Sequence, residues 1–244
     1  MGPQEEIEAL RRLRSARTRS RPESPKRARA VSARTPPEPT LARLVIYLRT
    51  LRAAKREGLE TLSSADIERR TGISSAQVRK DISHFGEFGK RGIGYSVDHA
   101  LERLSKIMGL DREQRVVIVG AGNLGSALAG YMGFRNSGFR VMAVYDNDPT
   151  KIGRKVRGVE VVNIRRLPQT NRKLGARIGI IATPAAAAQG VAEIMARGGI
   201  KTILNFAPTR LRDVNDTVVR NVDLTQELEI LCYFLSHERK AKAN

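Results

Sequence analysis

Three features of the 244-residue sequence predict an α/β chain, with an N-terminal winged helix-turn-helix ahead of a C-terminal doubly wound parallel sheet. Two short helical segments, joined by Thr71-Gly72-Ile73, run directly into a glycine-rich basic stretch. From Arg115 onward, β-branched runs alternate with helical ones. At the first of those junctions stands Gly120-x-Gly122-x-x-Gly125.

In chain order, residues 1–38 read as a disordered basic tail, rich in Arg, Ser and Pro and too poor in bulky apolar residues to offset the entropy of ordering. A winged-helix unit is expected over 39–113. It opens with PTLARLVIYLRTLRAAKREG, where Leu41, Leu44, Val45, Leu48 and Leu51 recur at helical steps before Gly58. Ser63 and Asp66 then frame a short helix that Gly72 ends, and Ser74-x-x-Gln77 has the capping-box spacing for a second. With Val78 and Ile82 turned inward, Ser74, Ser75, Gln77, Arg79, Lys80 and Ser83 are left for a groove, as on a recognition helix. Arg suits guanine and Gln suits adenine. FGEFGKRGIGY follows, with Lys90 and Arg91 between glycines and Tyr95 beyond them, the composition of a two-stranded wing meeting phosphates. VDHALERLSKIMG reads as a linking helix.

A sheet domain is expected over 114–222, with strands at 116–120, 141–146, 177–183, 201–206 and 218–222. The run VVIVGAGNLGSALAGY is strand, glycine turn, then helix, the context that the dinucleotide motif requires. Gly120, Ala121, Gly122, Asn123, Leu124 and Gly125 are therefore candidates to cradle a pyrophosphate. Asp146 ends the next strand, where a carboxylate accepts from the adenosine ribose and repels a 2′-phosphate, with Lys151 nearby. Thr183, Pro184 and Ala185, with Asn205, Phe206, Ala207 and Pro208, lie at strand C-termini, where the nicotinamide end is expected. NADH and NAD⁺ are thus the expected cofactors. Residues 223–244 form an amphipathic helix with Leu228, Leu231 and Leu235 on one stripe, which packs on its own domain or on a partner.

Catalysis is not expected. The histidines are His84, His99 and His237, none following a strand of the sheet domain, and no carboxylate pair or Cys/His cluster suggests acid–base or metal chemistry. The net charge of +19 points to a polyanionic partner but is spread along the chain. No apolar run reaches the roughly 20 residues that span a bilayer, and the N-terminus has no secretory h-region. The single cysteine, Cys232, rules out an internal disulfide, suits a cytoplasmic location, and has the apolar neighbours of a buried residue.

The stretches VRKDISHFGEFGKRGIGY, VGAGNLGSALAGY, AVYDNDPTKIG, ATPAAAAQ, GIKTILNFAP and VDLTQEL together resemble the redox-sensing repressor family known as Rex, from about Leu41 to the C-terminus. The resemblance implies a homodimer with a domain-swapped C-terminal helix. It implies binding of double-stranded DNA at a palindromic operator when apo or NAD⁺-bound, and release by NADH. Carried over by motif, Arg49, Tyr131 and Asp223 match a family switch in which the arginine and aspartate pair in the DNA-binding state and the tyrosine conveys NADH. Leu224 stands where some relatives place a Phe beside the nicotinamide. Rival readings are an NAD-dependent dehydrogenase with an appended DNA-binding unit, a CoA-binding regulator, and a DNA binder indifferent to nucleotides.

Overall fold

The computed structural model describes residues 36–86, 89–90, 94–212, 214 and 216–243. Most of the expected tail, and Arg91 of the expected wing, lie outside them. Helix α1 (Glu38–Arg56) buries Leu44, Tyr47, Leu48 and Leu51 along one stripe, three or four residues apart. The leucines are those that the periodicity singles out, whereas Leu41 and Val45 stay partly exposed.

Strand β1 (Thr61–Leu62) leads into helix α2 (Ser64–Thr71) and helix α3 (Ser75–Ser83). The first cap forms as its sequence demands: Ser63 and Asp66 satisfy each other's backbone N–H groups, and Gly72 closes the helix in the left-handed conformation. The second is only half a capping box. Ser74 accepts from the Gln77 N–H, but the Gln77 amide turns along the helix and donates to Asp81 Oδ1 at 2.7 Å. Glu68 takes over at the start of α3, accepting from the Ser75 N–H at 2.9 Å. Ile67, Val78 and Ile82 are the buried apolar residues of the pair, with Asp81 buried beside them.

The wing is real and carries a third strand. β2 (Gly89–Lys90) pairs antiparallel with β3 (Gly94–Ser96), and β3 pairs on its other side with β1. Two-residue β1 carries no sequence period, so composition alone did not reveal it. Helix α4 (Val97–Ile107) follows directly and buries Val97, Ala100 and Leu104.

The second region is a seven-stranded sheet made of β4 (Gln114–Val119), β5 (Phe139–Asp146), β6 (Lys155–Val156), β7 (Val159–Asn163), β8 (Ile178–Ile181), β9 (Thr202–Asn205) and β10 (Val218–Asn221). Their order is β10-β9-β8-β4-β5-β7-β6, parallel throughout except for the β6–β7 hairpin. The chain winds outward from β4 through β5 and β7, then returns to β8 and winds the other way. That reversal opens a crevice at the strand C-termini between β4 and β8. One face packs Val117, Val119, Tyr145 and Ile181 beneath α7 (Leu167–Leu174) and α8 (Ala185–Arg197), and the other packs Val116, Ile118, Val144 and Ile180.

Two expectations need refinement. The helix after the glycine turn is split at Gly130 into α5 (Asn123–Ala129) and α6 (Met132–Asn136), with Tyr131 at the N-cap of the second. The crossing between β5 and β8 contains the β6–β7 hairpin as well as a helix, α7. The last helix, α9 (Leu224–Ala243), exposes Leu224, Leu228, Leu231, Tyr233, Phe234 and Leu235, so none of the described residues of its own chain covers its apolar side. Cys232, expected to be buried, is exposed with them. Among the described residues no helix is long and apolar enough to cross a membrane.

Candidate functional site

The glycine turn joins β4 to α5 at the crevice. Gly120 has φ +106°, and a Cβ there would overlap the Ala182 carbonyl on β8's continuation. A Cβ at Gly125 would overlap the Gly120 carbonyl oxygen. Both glycines are thus fixed by packing within the protein. Gly122 is different: a Cβ there meets nothing within 4 Å, which leaves open space above the turn. Neither the backbone, at φ −79°, nor the packing demands glycine here, which fits a position kept bare for a ligand's phosphates. Gly122 also caps α5 without any side-chain hydrogen bond, so the first N–H groups of that helix point outward unclaimed by a side chain.

Asp146 sits at the end of β5 with its side chain 8% exposed. Its Oδ2 accepts from the Ala121 N–H at 2.7 Å and from Lys151 Nζ at 3.3 Å, and its Oδ1 accepts from the Asp148 N–H at 2.9 Å. Burial pushes its pKa up, but the Asp148 and Ala121 N–H groups and Lys151 together hold it below the usual carboxylate value. The sequence placed this carboxylate for a ribose. The structure gives it a second task, pinning the glycine turn to the neighbouring strand. Asp148, not singled out by sequence, also contacts Lys151 at 3.6 Å, so two carboxylates face one ammonium.

Across the crevice, Thr183 Oγ1 is buried without a hydrogen-bond partner among the described residues. A buried hydroxyl left unpaired marks a place where a further polar group belongs. Asn205 behaves oppositely. It is fully buried; its Nδ2 donates to the Thr209 carbonyl at 2.8 Å and to Asn221 Oδ1 at 2.9 Å, and its Oδ1 accepts from the Ala207 N–H at 3.0 Å. Its side chain shapes the Phe206-Ala207 loop. Pro184 caps α8, which Ala185 begins.

Tyr131 is 58% exposed, edge-on to Phe134 at 5.2 Å. With Met132, Arg135 and Arg157 it lines a cleft of about 990 Å³ away from the glycine turn. Arg49 is exposed on α1. Asp223 caps α9, accepting from the Thr225 N–H at 2.9 Å.

On the other candidate surface, α3 presents Arg79, Lys80 and Ser83 to solvent. Arg79 Nη1 donates to Ser64 Oγ at 3.0 Å, and the Ser83 hydroxyl donates to the Lys80 carbonyl. Gln77 is tied to Asp81, and Ser74 is spent as a cap. Lys80 is therefore the charged side chain of this face that no hydrogen bond or ion pair holds among the described residues. Tyr95, half-buried on β3, has its pKa raised by burial. Among the described residues no group of His, Cys, Asp or Glu could hold a metal ion.

Comparisons with known proteins match both regions. A family model described as "Putative DNA-binding protein N-terminus" covers residues 37–83, and one described as "CoA binding domain" covers residues 111–209. The chain is 51% identical over 81% of its length to the redox-sensing transcriptional repressor Rex of Carboxydothermus hydrogenoformans, covering 95% of it. It is 44% identical over 86% of its length to the Rex of Streptomyces coelicolor, covering 81% of that protein. Among solved structures, RSP in complex with β-NAD⁺ and operator DNA aligns with a TM-score of 0.78 at 35% identity, covering 84% of this chain and 94% of that one. RSP in complex with β-NADH aligns with a TM-score of 0.73 at 33% identity, covering 84% and 96%.

Proposed function

The chain belongs to the Rex family of redox-sensing transcriptional repressors, and from that premise we propose how its own residues do the work. It is a DNA-binding repressor that reads NADH against NAD⁺, not an enzyme: its full-length relatives are repressors, one solved with operator DNA and NAD⁺. The observation that carries the residue-level reading is the bare position at Gly122 beside the unclaimed start of α5. There the backbone N–H groups of Gly122, Asn123 and Leu124 hold a pyrophosphate. Asp146 and Asp148 with Lys151 receive the adenosine ribose and, net negative, select against a 2′-phosphate. Thr183 Oγ1, Pro184, Ala185, Phe206 and Ala207 meet the nicotinamide.

When bound, reduced nicotinamide differs from the oxidised form in having lost the ring's positive charge. An uncharged surface around Phe206 and Ala207 favours the reduced form. The repressor holds a palindromic operator when apo or NAD⁺-bound, through α3 (Arg79, Lys80, Ser83) and the wing (Lys90, Arg91, Tyr95), and leaves it when loaded with NADH. This requires only that the two ligands prefer different conformations, so each weakens the other's binding by the same factor. Tyr131 stands at the α5–α6 break and conveys the cofactor state to the Arg49–Asp223 pair. The uncovered apolar side of α9 supports a homodimer in which this helix packs on the second copy, with Leu224 near the nicotinamide end. The cytoplasm is the compartment this role requires.

A mobility-shift titration on a palindromic operator tests the reading. Release at far lower NADH than NAD⁺ is expected; equal potency of the two would overturn it. A CoA-binding regulator, which the family model over residues 111–209 favours, would respond to CoA instead.

A further inference from the structure

The edge of the parallel sheet opposite the nucleotide crevice carries a row of positive charge. Arg115 on β4 stands directly opposite Arg140 on β5. Val116 pairs with Ile178 and Ile178 with Thr202, which puts Arg177 and Lys201 in the same row, one residue ahead of β8 and β9. The Lys201 N–H donates to the Arg177 carbonyl at 2.9 Å, so these two are immediate neighbours. Alternation places Arg115, Arg177 and Lys201 on the sheet face that carries Val117 and Ile203 deeper in. All four basic residues are exposed, and α7 ends at the same edge with exposed Arg172 and Lys173.

Ordinary structural needs account for part of this. Arg172 and Lys173 complement the negative end of α7, and Arg115 Nη1 donates to the Leu174 carbonyl there at 2.8 Å. Arg140 has Glu113 at 3.8 Å. Arg177 and Lys201 have no such explanation. Neither has an ion-pair or side-chain hydrogen-bond partner among the described residues. Strands lie about 4.8 Å apart, and like charges facing each other across neighbouring strands destabilise a sheet. Exposed Asp111 and Asp216 leave the edge strongly positive.

We propose that this basic edge is a second DNA-backbone contact, which grips duplex flanking the operator while the winged helix reads the operator itself. The proposal rests on the DNA-binding reading above. DNA is favoured over an acidic protein because a row of like charges on neighbouring strands forms a polycationic surface, which a duplex's dense phosphate charge attracts. The connection also favours it. Only residues 108–113 join the last helix of the winged region to β4 at this edge, a link that spans at most roughly 20 Å.

The test measures binding of the full chain to a minimal palindrome and to the same palindrome extended by about 20 base pairs of unrelated sequence on each side, over a range of salt. The wild-type protein should bind the extended duplex about tenfold more tightly. In Arg177→Glu/Lys201→Glu that gain should vanish, and the slope of log K against log salt on the long duplex should fall by about 2. Affinity for the short duplex and release by NADH should stay as in the wild type. Arg177→Gln/Lys201→Gln should lose an intermediate part of the gain, with unfolding temperature as the check on folding. Equal wild-type affinity for the two duplexes would overturn the proposal and assign the edge to an acidic protein partner. So would equal losses on both duplexes, which mark a general field effect. Failure of the wild type to bind the short duplex would instead strike the repressor reading.

Discussion

The winged region and the sheet region solve recognition with opposite materials. In the first, the proposed reading falls to exposed side chains on short helices: Arg79 and Lys80 project from α3, and replacing either leaves the backbone in place. In the second, the proposed reading surface is backbone, and side chains are excluded from its turn: Gly120 and Gly125 are glycine because a carbonyl occupies the space of a Cβ. Losses in the winged region should therefore be graded and roughly additive, whereas losses at the glycine turn should be close to all-or-none.

The sharpest attempt to break that contrast is Gly122→Val. Because a Cβ at Gly122 meets open space, the variant should fold. It should nonetheless lose on the order of a hundredfold in NADH affinity, about 3 kcal/mol, from displaced charge-assisted hydrogen bonds. It should still bind operator, and NADH should no longer release it. Calorimetric titration with NADH, alongside the mobility shift, checks both halves; release at wild-type NADH concentrations would move the cofactor site elsewhere. Gly125→Ala, by contrast, should disturb the turn itself, visible as a lowered unfolding temperature.

Next in size is Arg79→Ala, expected to cost about 1–3 kcal/mol of operator binding and to relax preference at one base pair. Lys80→Ala should cost less, equally on all sequences, and reduce the salt slope by about 1. NADH affinity should be unchanged in both. Because Arg79 is held by Ser64 Oγ, Ser64→Ala should raise the association rate without changing the preferred sequence.

A smaller effect is expected at Asp146, where the two materials meet, since a side chain there supports the backbone turn. Its lowered pKa fixes the sign of the pH dependence. A carboxylate whose folded pKa lies below its unfolded value, about 3.9, contributes stability that is present above that value and lost as pH falls through the folded pKa. Asp146→Asn should therefore remove part of the acid limb of the stability profile. It should also narrow the preference for NADH over NADPH while Asp148 remains. Thermal melts from neutral to acid pH, and affinities for both cofactors, measure the two effects.

How far the sequence could be read follows the same divide. The glycine turn was legible because its spacing sits between a β-branched strand and a helix, a pattern fixed by backbone sterics. The first helical cap was legible because Ser63, Asp66 and Gly72 have few alternatives at those positions. The Gln77–Asp81 bond was not: glutamine at that spacing suits a capping box equally well, and the choice depends on a buried carboxylate four residues away. Asn205 was legible as a residue of a ligand-binding strand end, but not the hydrogen bonds its amide makes to Ala207 in its own loop and to Asn221 at the end of β10. The two-residue strands β1 and β6 are too short to show a period. Gly130 breaks a helix that composition alone allowed to continue. The basic row across β5, β4, β8 and β9 is dispersed over residues 115–201 and exists only once the strands are in register.

The smallest predicted effect belongs wholly to the winged region and tests whether its helices are as independent as the contrast requires. Ser63 Oγ accepts from the Asp66 N–H at 3.1 Å, while Asp66 Oδ2 accepts from the Ser63 N–H at 2.8 Å and from the Ser63 hydroxyl. Ser63→Ala removes the hydroxyl from both arrangements and should cost about 1 kcal/mol of stability. Asp66's pKa is lowered by the Ser63 hydroxyl and then by the Ser63 N–H, with burial opposing and Arg69 and Arg70 assisting. That part of the cap is present above the ordinary carboxylate pKa and lost as pH falls through the lowered one. The gap between wild type and Ser63→Ala should therefore shrink in acid without closing, because the Ser63 hydroxyl still accepts from the Asp66 N–H when the carboxyl is protonated. Denaturant unfolding at neutral and acid pH measures that gap. Operator and NADH affinities at neutral pH should match the wild type, because the cap holds a helix and touches neither ligand. A change in NADH affinity would mean that the ends of α2 are coupled to the glycine turn, and the two materials would no longer be separable.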